Sequence, residues 1–135
     1  MNKIEAIKTE RDGLTVGDMI AQYARAGWES IPEDDIQRLK WYGLFLRNPT
    51  PGHFMLRLRL PGGRTTSAQL EALADIALRY GNGVVYVTTR QQVQLRHLTI
   101  ENVPAVFAKL SEAGLSSLQT GMDTVRNIMT CPVAG

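Results

Sequence analysis

The sequence predicts an α+β domain in which an antiparallel sheet carries two helices on one of its faces. Apolar and polar side chains alternate along residues 54–60 and 93–98, and a β-branched run lies between them at 84–88, as is typical of strands. Apolar side chains instead recur at helical spacing along 70–80 and 103–110. The order strand, helix, strand, strand, helix indicates the ferredoxin-like plan, which leaves the second face of the sheet open.

Short sequence signals mark where the two helices begin and end. Thr66 and Gln69 have the spacing of a capping box in front of the first helix, and Gly81 ends its apolar pattern. Pro104 suits the first turn of the second helix, where its missing N–H costs little, and Gly114 suits the position after its last turn. Both helices are therefore predicted with defined ends.

The composition divides the chain into three parts. Residues 1–50 are interpreted as a helical arm, residues 51–115 as the ferredoxin-like half-domain, and residues 116–135 as the truncated start of a following domain. Within the arm, Thr15 is predicted to cap one short helix and Pro32 to open another. The sheet is therefore expected to have three strands, all of them after the arm.

Composition also excludes several classes of protein. With 44% hydrophobic residues the chain can bury a core, and its formal charge of +2 gives no reason to expect a nucleic-acid or membrane partner. One cysteine forms no internal disulfide and cannot supply the four thiolates of a typical iron–sulfur cluster, and no metal site is expected in this chain. No stretch approaches the roughly 18 apolar residues of a spanning helix. A cytoplasmic location is expected.

Polar residues on the open face of the predicted sheet are the candidates for function. Alternation places Arg57 and Arg59 on one side of the first strand, and Gln92, Gln94 and Arg96 on one side of the third. Guanidinium groups stay charged and donate paired hydrogen bonds to carboxylates and small oxyanions. If these faces coincide, the sheet presents a cationic surface to a polyanionic ligand.

Two other interpretations of this face stay open at this point. The arginines could form a solvated sheet surface, because antiparallel sheets often expose one side to water. An RNA-binding sheet of the same plan would need stacking aromatic side chains, and this face offers Tyr86. Elsewhere, His53 is expected at the surface, His97 in the core, and Cys131 as a buried thiol without a site.

Six strings follow one another in an order and spacing that can be compared with known families. They are WYGLF at 41–45, FMLRLRLPGG at 54–63, VTTRQQVQLR at 87–96, VP at 103–104, GLSSLQTGMDTVRN at 114–127 and PVAG at 132–135. Together they resemble the amino-terminal part of the siroheme-dependent nitrite and sulfite reductases, especially the assimilatory ferredoxin-dependent nitrite reductases. The resemblance covers about residues 35 to 135.

This resemblance implies a function that agrees with the cationic face. The family reduces nitrite to ammonium, or sulfite to sulfide, by six electrons at a siroheme coupled to a 4Fe-4S cluster, with ferredoxin as the donor. Siroheme is rich in carboxylates and the substrate is itself an anion, so guanidinium groups are suited to bind both. The cluster cysteines are implied to lie in a later part of the reductase. The fragment alone is therefore expected to be inactive.

The resemblance also assigns roles to single residues. It implies that Arg57 and Arg126 bind the substrate anion. The residues implied to contact siroheme or to line its pocket are Thr88, Arg90, Gln94 and Arg96, with Arg59 and Gln92 added from strand alternation. Met122 stands where sulfite-reducing relatives carry asparagine, which favours nitrite. The alternatives are a sulfite reductase fragment and a stand-alone anion- or RNA-binding module.

Overall fold

The computed structural model describes residues 2–133 and has the predicted α+β class. Its helices are α1 Lys3–Glu10, α2 Ile20–Ala26, α3 Glu33–Arg38, α4 Ser67–Tyr80 and α5 Val103–Glu112. Its strands are β1 Leu44–Leu46, β2 His53–Leu58, β3 Val85–Val87 and β4 Val93–Thr99. The last two residues of the PVAG string lie outside the described residues. Among residues 2–133, no helix is long and apolar enough to cross a membrane.

The four strands form one antiparallel sheet in the order β1-β2-β4-β3. The sequence predicted three of these strands, whereas β1 lies inside the segment interpreted as a helical arm. Gly43 makes this strand possible, because its φ of +75° turns the chain and a Cβ there would meet the Arg57 carbonyl oxygen at 2.6 Å. A three-residue strand is too short to show a period of two, so the sequence carries no clear sign of it.

One face of the sheet packs against α4 and α5 to form the core. Leu56, Leu58 and Leu95 project from this face and are fully buried, together with Leu73 of α4 and Val106 of α5. Each such side chain contributes about 1.5–3 kcal/mol relative to an exposed position. The alternation in β2 and β4 therefore identified the core face correctly, and the opposite face is left for the polar residues.

The ends of α4 follow the sequence prediction. The backbone N–H of Gln69 donates to Thr66 Oγ1, and the backbone N–H of Thr66 donates to Gln69 Oε1, both at 3.1 Å. After the last helical residue, the Gly81 N–H donates to the carbonyl of Ala77. The capping box is thus confirmed, and it fixes the start of the helix that covers the sheet.

The arm departs from the prediction in its first half. Helix α1 was not predicted, and it begins where the Asn2 side chain accepts hydrogen bonds from the next turn. Thr15 does not cap a helix, because its hydroxyl donates instead to the Asp12 carbonyl within a 3₁₀ segment. Asp12 caps that segment by accepting from the N–H of Leu14. Helix α2 consequently begins at Ile20, several residues later than the cap predicted.

A network of charged and polar residues around one buried carboxylate holds the arm together; we call it the arm cluster and define it as Glu10, Arg11, Tyr23, Asp35 and Arg38. Asp35 and Arg38 are each 4% exposed and form an ion pair at 2.7 Å. Arg11 and the hydroxyl of Tyr23 also donate to the Asp35 carboxylate, and Glu10 accepts from Arg38. The cluster joins α1, α2 and α3 through one shared carboxylate.

The arm cluster shifts the pKa of its titratable groups. Burial alone would raise the pKa of Asp35, but hydrogen bonds from Tyr23, Arg38 and Arg11 outweigh it and hold that pKa below its ordinary value. Burial, reinforced by the hydrogen bond to Asp35, raises the pKa of Tyr23 to about 12. The charged carboxylate and the neutral phenol are therefore both favoured by the folded arm.

The prediction that His97 lies in the core is wrong. Leu56 of β2 pairs with Leu95, whereas Phe54 pairs with Leu98, so β4 carries one extra residue in this interval. His97 occupies the resulting bulge with a φ of +63° and is exposed. A bulge reverses the alternation beyond it, and a count of two residues per repeat cannot anticipate this.

Candidate functional site

The open face of the sheet carries a hollow of about 230 Å³. Three separate segments meet there: the sheet surface, the turn between β3 and β4, and the tail after α5. Residues from all three form its walls: Arg57, Thr88, Thr89, Arg90, Gln92, Gln94, Thr120 and Arg126. Six of the eight residues predicted for the site therefore lie around one hollow, which we call the arginine hollow.

The sheet presents Arg57 and Gln94 to the arginine hollow. These two residues are cross-strand partners on β2 and β4, so their side chains stand next to each other on the open face. The Arg57 guanidinium lies 4.8 Å from the ring centroid of Phe45 and donates to the Thr120 carbonyl at 3.3 Å. Phe45 belongs to β1, so the strand that the sequence did not predict supports the first candidate residue.

The turn between β3 and β4 presents Arg90. Thr88 organises this turn, because its hydroxyl accepts from the Gln92 N–H at 3.1 Å and its own N–H donates to the Gln92 carbonyl at 2.9 Å. Gln91 completes the turn with a φ of +56°. The Nε of Arg90 is buried and has no hydrogen-bond partner among the described residues. The Nε atoms of Arg11, Arg38 and Arg96 are also buried without a partner, but among these arginines Arg90 alone lines the hollow, where its free donor is suited to an acidic ligand.

The tail folds back across the open face and presents Arg126. Ser116 pairs with Arg59 as an isolated bridge, and the Arg59 N–H donates to the Ser116 carbonyl at 2.8 Å. Farther along, the Thr120 hydroxyl donates to the carbonyl of Arg57 at 3.1 Å. Arg126 is itself exposed, while the following Asn127 is buried. The tail therefore belongs to the site rather than only following the half-domain.

Positive charge dominates the arginine hollow. Burial lowers the pKa of Arg57 below its ordinary value, and the nearby charge of Arg126 lowers it further. Guanidinium groups nevertheless remain protonated in proteins. Within residues 2–133, no carboxylate lies within 4.0 Å of the charged nitrogens of Arg57, Arg90 or Arg126. The hollow therefore presents positive charge without a counterion from these residues, and guanidinium groups of this kind suit an anionic ligand.

Arg59 and Arg96 do not line the arginine hollow. Arg59 donates from Nη2 to the carbonyls of Gln119 and Val125, the latter at 3.0 Å, so it holds the tail in place. Arg96 stacks on the ring of Tyr86, with 4.2 Å from its guanidinium carbon to the ring centroid. The siroheme contacts expected of these two arginines stay predictions. The stacked guanidinium of Arg96 covers the Tyr86 ring, which an RNA base would need for stacking.

The sequence interpretation gave no role to Thr89, Thr120 or Asn127. Thr120 and Asn127 stand within a string that the sequence analysis quoted, and Asn127 directly follows a predicted site residue. That proximity was the available signal, but the contacts that these residues make are between distant segments. Cys131 is exposed, contrary to expectation. In the described part of the chain, no group of three or more His, Cys, Asp or Glu residues could hold a metal ion.

A larger cavity of about 510 Å³ adjoins the arginine hollow. It shares Thr88 and Gln92 with the hollow and is otherwise lined mainly by small and apolar residues, among them Gly62 and Gly63. Arg64 and the thiol-bearing Cys131 also border it. The turn between β3 and β4 is therefore accessible from two sides.

Comparison with known families assigns the class of protein that carries this fold and site. The family described as the nitrite/sulfite reductase ferredoxin-like half domain matches residues 47–113. The chain belongs to this family. The match begins just after β1 and ends just after α5.

Particular relatives resemble the chain over its whole length. The ferredoxin–nitrite reductase of Synechococcus elongatus is 50% identical over 137 residues, and that of Leptolyngbya laminosa is 47% identical, each match covering 100% of this chain and 27% of the relative. The chloroplastic ferredoxin–nitrite reductase of Arabidopsis thaliana is 43% identical over 145 residues. The chain thus spans about a quarter of the length of these relatives.

A solved structure shows the same fold. The structure of the Mycobacterium tuberculosis NirA protein superposes with a TM-score of 0.90 and is 28% identical in sequence. The superposition covers 99% of this chain and 28% of that chain. The arm, the half-domain and the tail together therefore correspond to one continuous part of a larger protein.

Proposed function

We propose that this chain is the amino-terminal part of a ferredoxin-dependent nitrite reductase, in which it forms one wall of the siroheme pocket and binds the substrate anion through Arg57 and Arg126. The observation that carries the proposal is the convergence of three guanidinium groups from three segments in the arginine hollow. Similarity over the whole chain to ferredoxin–nitrite reductases supports the choice of reaction.

The residues around the arginine hollow fit the acidic rim of siroheme. Arg90 offers a charged donor whose buried Nε is unpartnered within the described residues, and Gln94 and Thr88 add neutral donors beside it. Guanidinium and amide groups pair with carboxylates through directed hydrogen bonds. When bound, siroheme would supply the redox centre that passes electrons to the substrate. Arg90, Gln94 and Thr88 would hold and orient its carboxylates.

Arg57 and Arg126 would act on the substrate directly. Their guanidinium groups donate hydrogen bonds to the oxygens of a small anion, and their fixed charge stabilises negative charge that accumulates during reduction. The same fixed positive charge lowers the cost of negative charge on the reacting oxygens until protons reach them. These two residues therefore bind, orient and electrostatically stabilise the anion.

The iron–sulfur cluster finds no ligand set here. The sequence contains one cysteine, whereas a 4Fe-4S cluster is usually held by four. The ligands of the cluster, like the binding of ferredoxin, are therefore proposed to involve the remainder of the reductase. Nitrite is proposed over sulfite because of Met122 and because the relatives are named as nitrite reductases.

Substitution in the complete reductase tests the proposal. We expect Arg57→Ala or Arg126→Ala to lower kcat with nitrite by about 100-fold, as loss of one charge-stabilising donor does, while siroheme absorbance is retained. Arg79→Ala is the matched control, because this exposed arginine lies on α4 and pairs with Asp75. Normal kinetics in both hollow variants would reject the assignment.

The isolated chain provides a second test. Without the remaining three quarters of its relatives' length, we expect it to show no turnover of nitrite with reduced viologen and no stable siroheme absorbance. Recovered turnover by this chain alone would contradict the fragment proposal and would favour a self-contained enzyme.

A further inference from the structure

Asn127 is the buried centre of a junction between the three segments of the site. It is 4% exposed, and its side-chain Nδ2 donates to three backbone carbonyls: Leu60 at 2.8 Å, Arg90 at 3.0 Å and Gln91 at 3.2 Å. Leu60 follows β2, whereas Arg90 and Gln91 belong to the turn between β3 and β4. One amide from the tail therefore fastens the ends of two strands that are distant in sequence.

Exposed hydrogen bonds surround this buried centre. The Gly62 N–H donates to the Ile128 carbonyl at 2.8 Å, and the Thr130 hydroxyl donates to the Gly62 carbonyl at 2.9 Å. The Gln91 side chain both donates to and accepts from the backbone of Thr130. Water can replace bonds of this kind at small cost, whereas loss of the Asn127 amide removes the side-chain donor from the partly buried carbonyls of Arg90 and Gln91. The Leu60 carbonyl keeps a hydrogen bond from the Gly63 N–H at 2.9 Å. Asn127 is therefore the member of the junction that matters most.

The same junction fixes the chain on both sides of Arg126. On one side, Arg59 donates to the Val125 carbonyl at 3.0 Å. On the other side, Asn127 is held by its three bonds. The Arg126 side chain is exposed and close enough to Arg57 for the two like charges to disfavour each other. The backbone bonds on both sides of Arg126 must therefore hold this residue in place against the repulsion.

We propose that Asn127 is a positioning residue that fixes the attachments of Arg90 and Arg126, so that both guanidiniums face Arg57 before an anion arrives. The inference rests on the proposed anion-binding function and adds to it the group that preorganises the site. Charge that is already in place when the ligand binds needs no reorganisation, and this strengthens its contribution. Asn127 acts through its neighbours and touches no substrate.

Comparison of the variants Asn127→Ala and Thr130→Val separates a positioning role of Asn127 from general stabilisation of the junction. Both remove side-chain hydrogen bonds of one junction, but only Asn127 holds the carbonyl of Arg90. Nitrite is added at constant ionic strength to the 135-residue chain labelled with ¹⁵N-arginine, and the Nε–H signals give the affinity. We expect about tenfold weaker nitrite binding for Asn127→Ala and a change below twofold for Thr130→Val.

Hydrogen exchange measured without an anion separates a local change at the site from a general loss of stability. In Asn127→Ala we expect faster hydrogen exchange at the Nε–H of Arg90, with no change at the Nε–H of Arg38 in the arm, since both of these nitrogens are buried in the unaltered chain. If Asn127→Ala fails to fold, the Asn127 side-chain amide of the unaltered chain takes its place. We expect its signal to shift with the same nitrite Kd as the arginines.

The outcomes distinguish this inference from the function on which it rests. An unaltered chain that binds no nitrite overturns both the anion site and the positioning role. Equal nitrite affinity in the unaltered chain and in Asn127→Ala overturns the positioning role alone, as does an Asn127 amide signal that does not respond to nitrite. Equal losses in Asn127→Ala and Thr130→Val also overturn it.

Discussion

The arm cluster and the arginine hollow both gather arginines, but they satisfy them in opposite ways. In the arm cluster, Arg11 and Arg38 share the carboxylate of Asp35, and Glu10 and Tyr23 complete the network. In the arginine hollow, the guanidiniums meet carbonyls, an aromatic ring and one another, with no carboxylate within ion-pair distance in residues 2–133. Arginine side chains are thus paired with carboxylates in the arm cluster, whereas in the arginine hollow their positive charge has no counterion among the described residues.

This difference separates a structural role from a binding role. A buried charge that loses its counterion destabilises the fold strongly, so the pairing in the arm cluster is needed to keep the arm folded. Like charges held close together without a counterion oppose the fold slightly and favour any anion that binds between them. The lack of such pairing around the hollow within residues 2–133 therefore suits a binding role, whereas the paired charges of the arm cluster suit a structural role.

The largest expected effect is the loss of the shared carboxylate in the arm cluster. Asp35→Asn removes the buried carboxylate that Arg11 and Arg38 share and leaves Glu10 as the counterion of Arg38, and we expect the free energy of unfolding to fall by about 3 kcal/mol. Urea unfolding followed by circular dichroism measures this. Glu33→Gln is the control, because its pair with Lys3 is exposed to solvent and contributes little. Equal effects would contradict the comparison.

The arm cluster should also make stability depend on pH at both extremes. Because the pKa of Asp35 is lowered by folding, its contribution is present above the ordinary value of 3.8 and is lost as pH falls below it. Because the pKa of Tyr23 is raised from 10.0 to about 12, its contribution is present below pH 10 and is lost between these values. Tyr23→Phe should reduce this alkaline loss. An unchanged slope in that range would contradict the assignment.

A smaller effect is expected when an anion is offered to the arginine hollow. Nitrite is expected to bind the folded state and not the unfolded state. At a nitrite concentration of ten times the Kd, it should therefore raise the free energy of unfolding by about 1.4 kcal/mol. Thermal unfolding with nitrite, or with chloride at equal ionic strength, measures this. We expect the nitrite-specific part to vanish in Arg126→Gln. A shift that is the same for both salts would indicate general screening and not a site.

The smallest expected effect is that of removing an arginine from the hollow in the absence of an anion. Arg126 is exposed and has a like charge for its neighbour, so Arg126→Gln should change the free energy of unfolding by no more than about 0.5 kcal/mol. Urea unfolding at low salt tests this. A loss comparable to that of Asp35→Asn would show that the two regions are not different in kind.

The sequence predicted the parts of the fold that depend on local chemistry or on a regular period. The capping box of Thr66 and Gln69 is local, and the alternation around Arg57 and Gln94 correctly gave the two sides of the sheet. The bulge at His97 breaks the period without any sequence sign. The sequence therefore gives the correct fold class but not every side-chain direction.

The candidate site was predictable where strands or a turn position the side chain. Arg57, Gln94 and Arg90 belong to such elements, and they line the hollow. The hydrogen bonds from the Arg59 side chain to tail carbonyls were not predicted, because only the folded chain brings these carbonyls close to it. The role of Asp35 was also hidden, since acidic residues at a helix start ordinarily indicate a favourable dipole interaction.

The most direct test of the central claim is one nitrite titration of the ¹⁵N-arginine-labelled chain followed by NMR. If Arg57, Arg90 and Arg126 form one anion site, their Nε–H signals will shift along saturating curves with a shared Kd, and those of Arg11 and Arg38 will stay in place. Separate constants for the three hollow arginines, or equal shifts in the arm cluster, would contradict the claim.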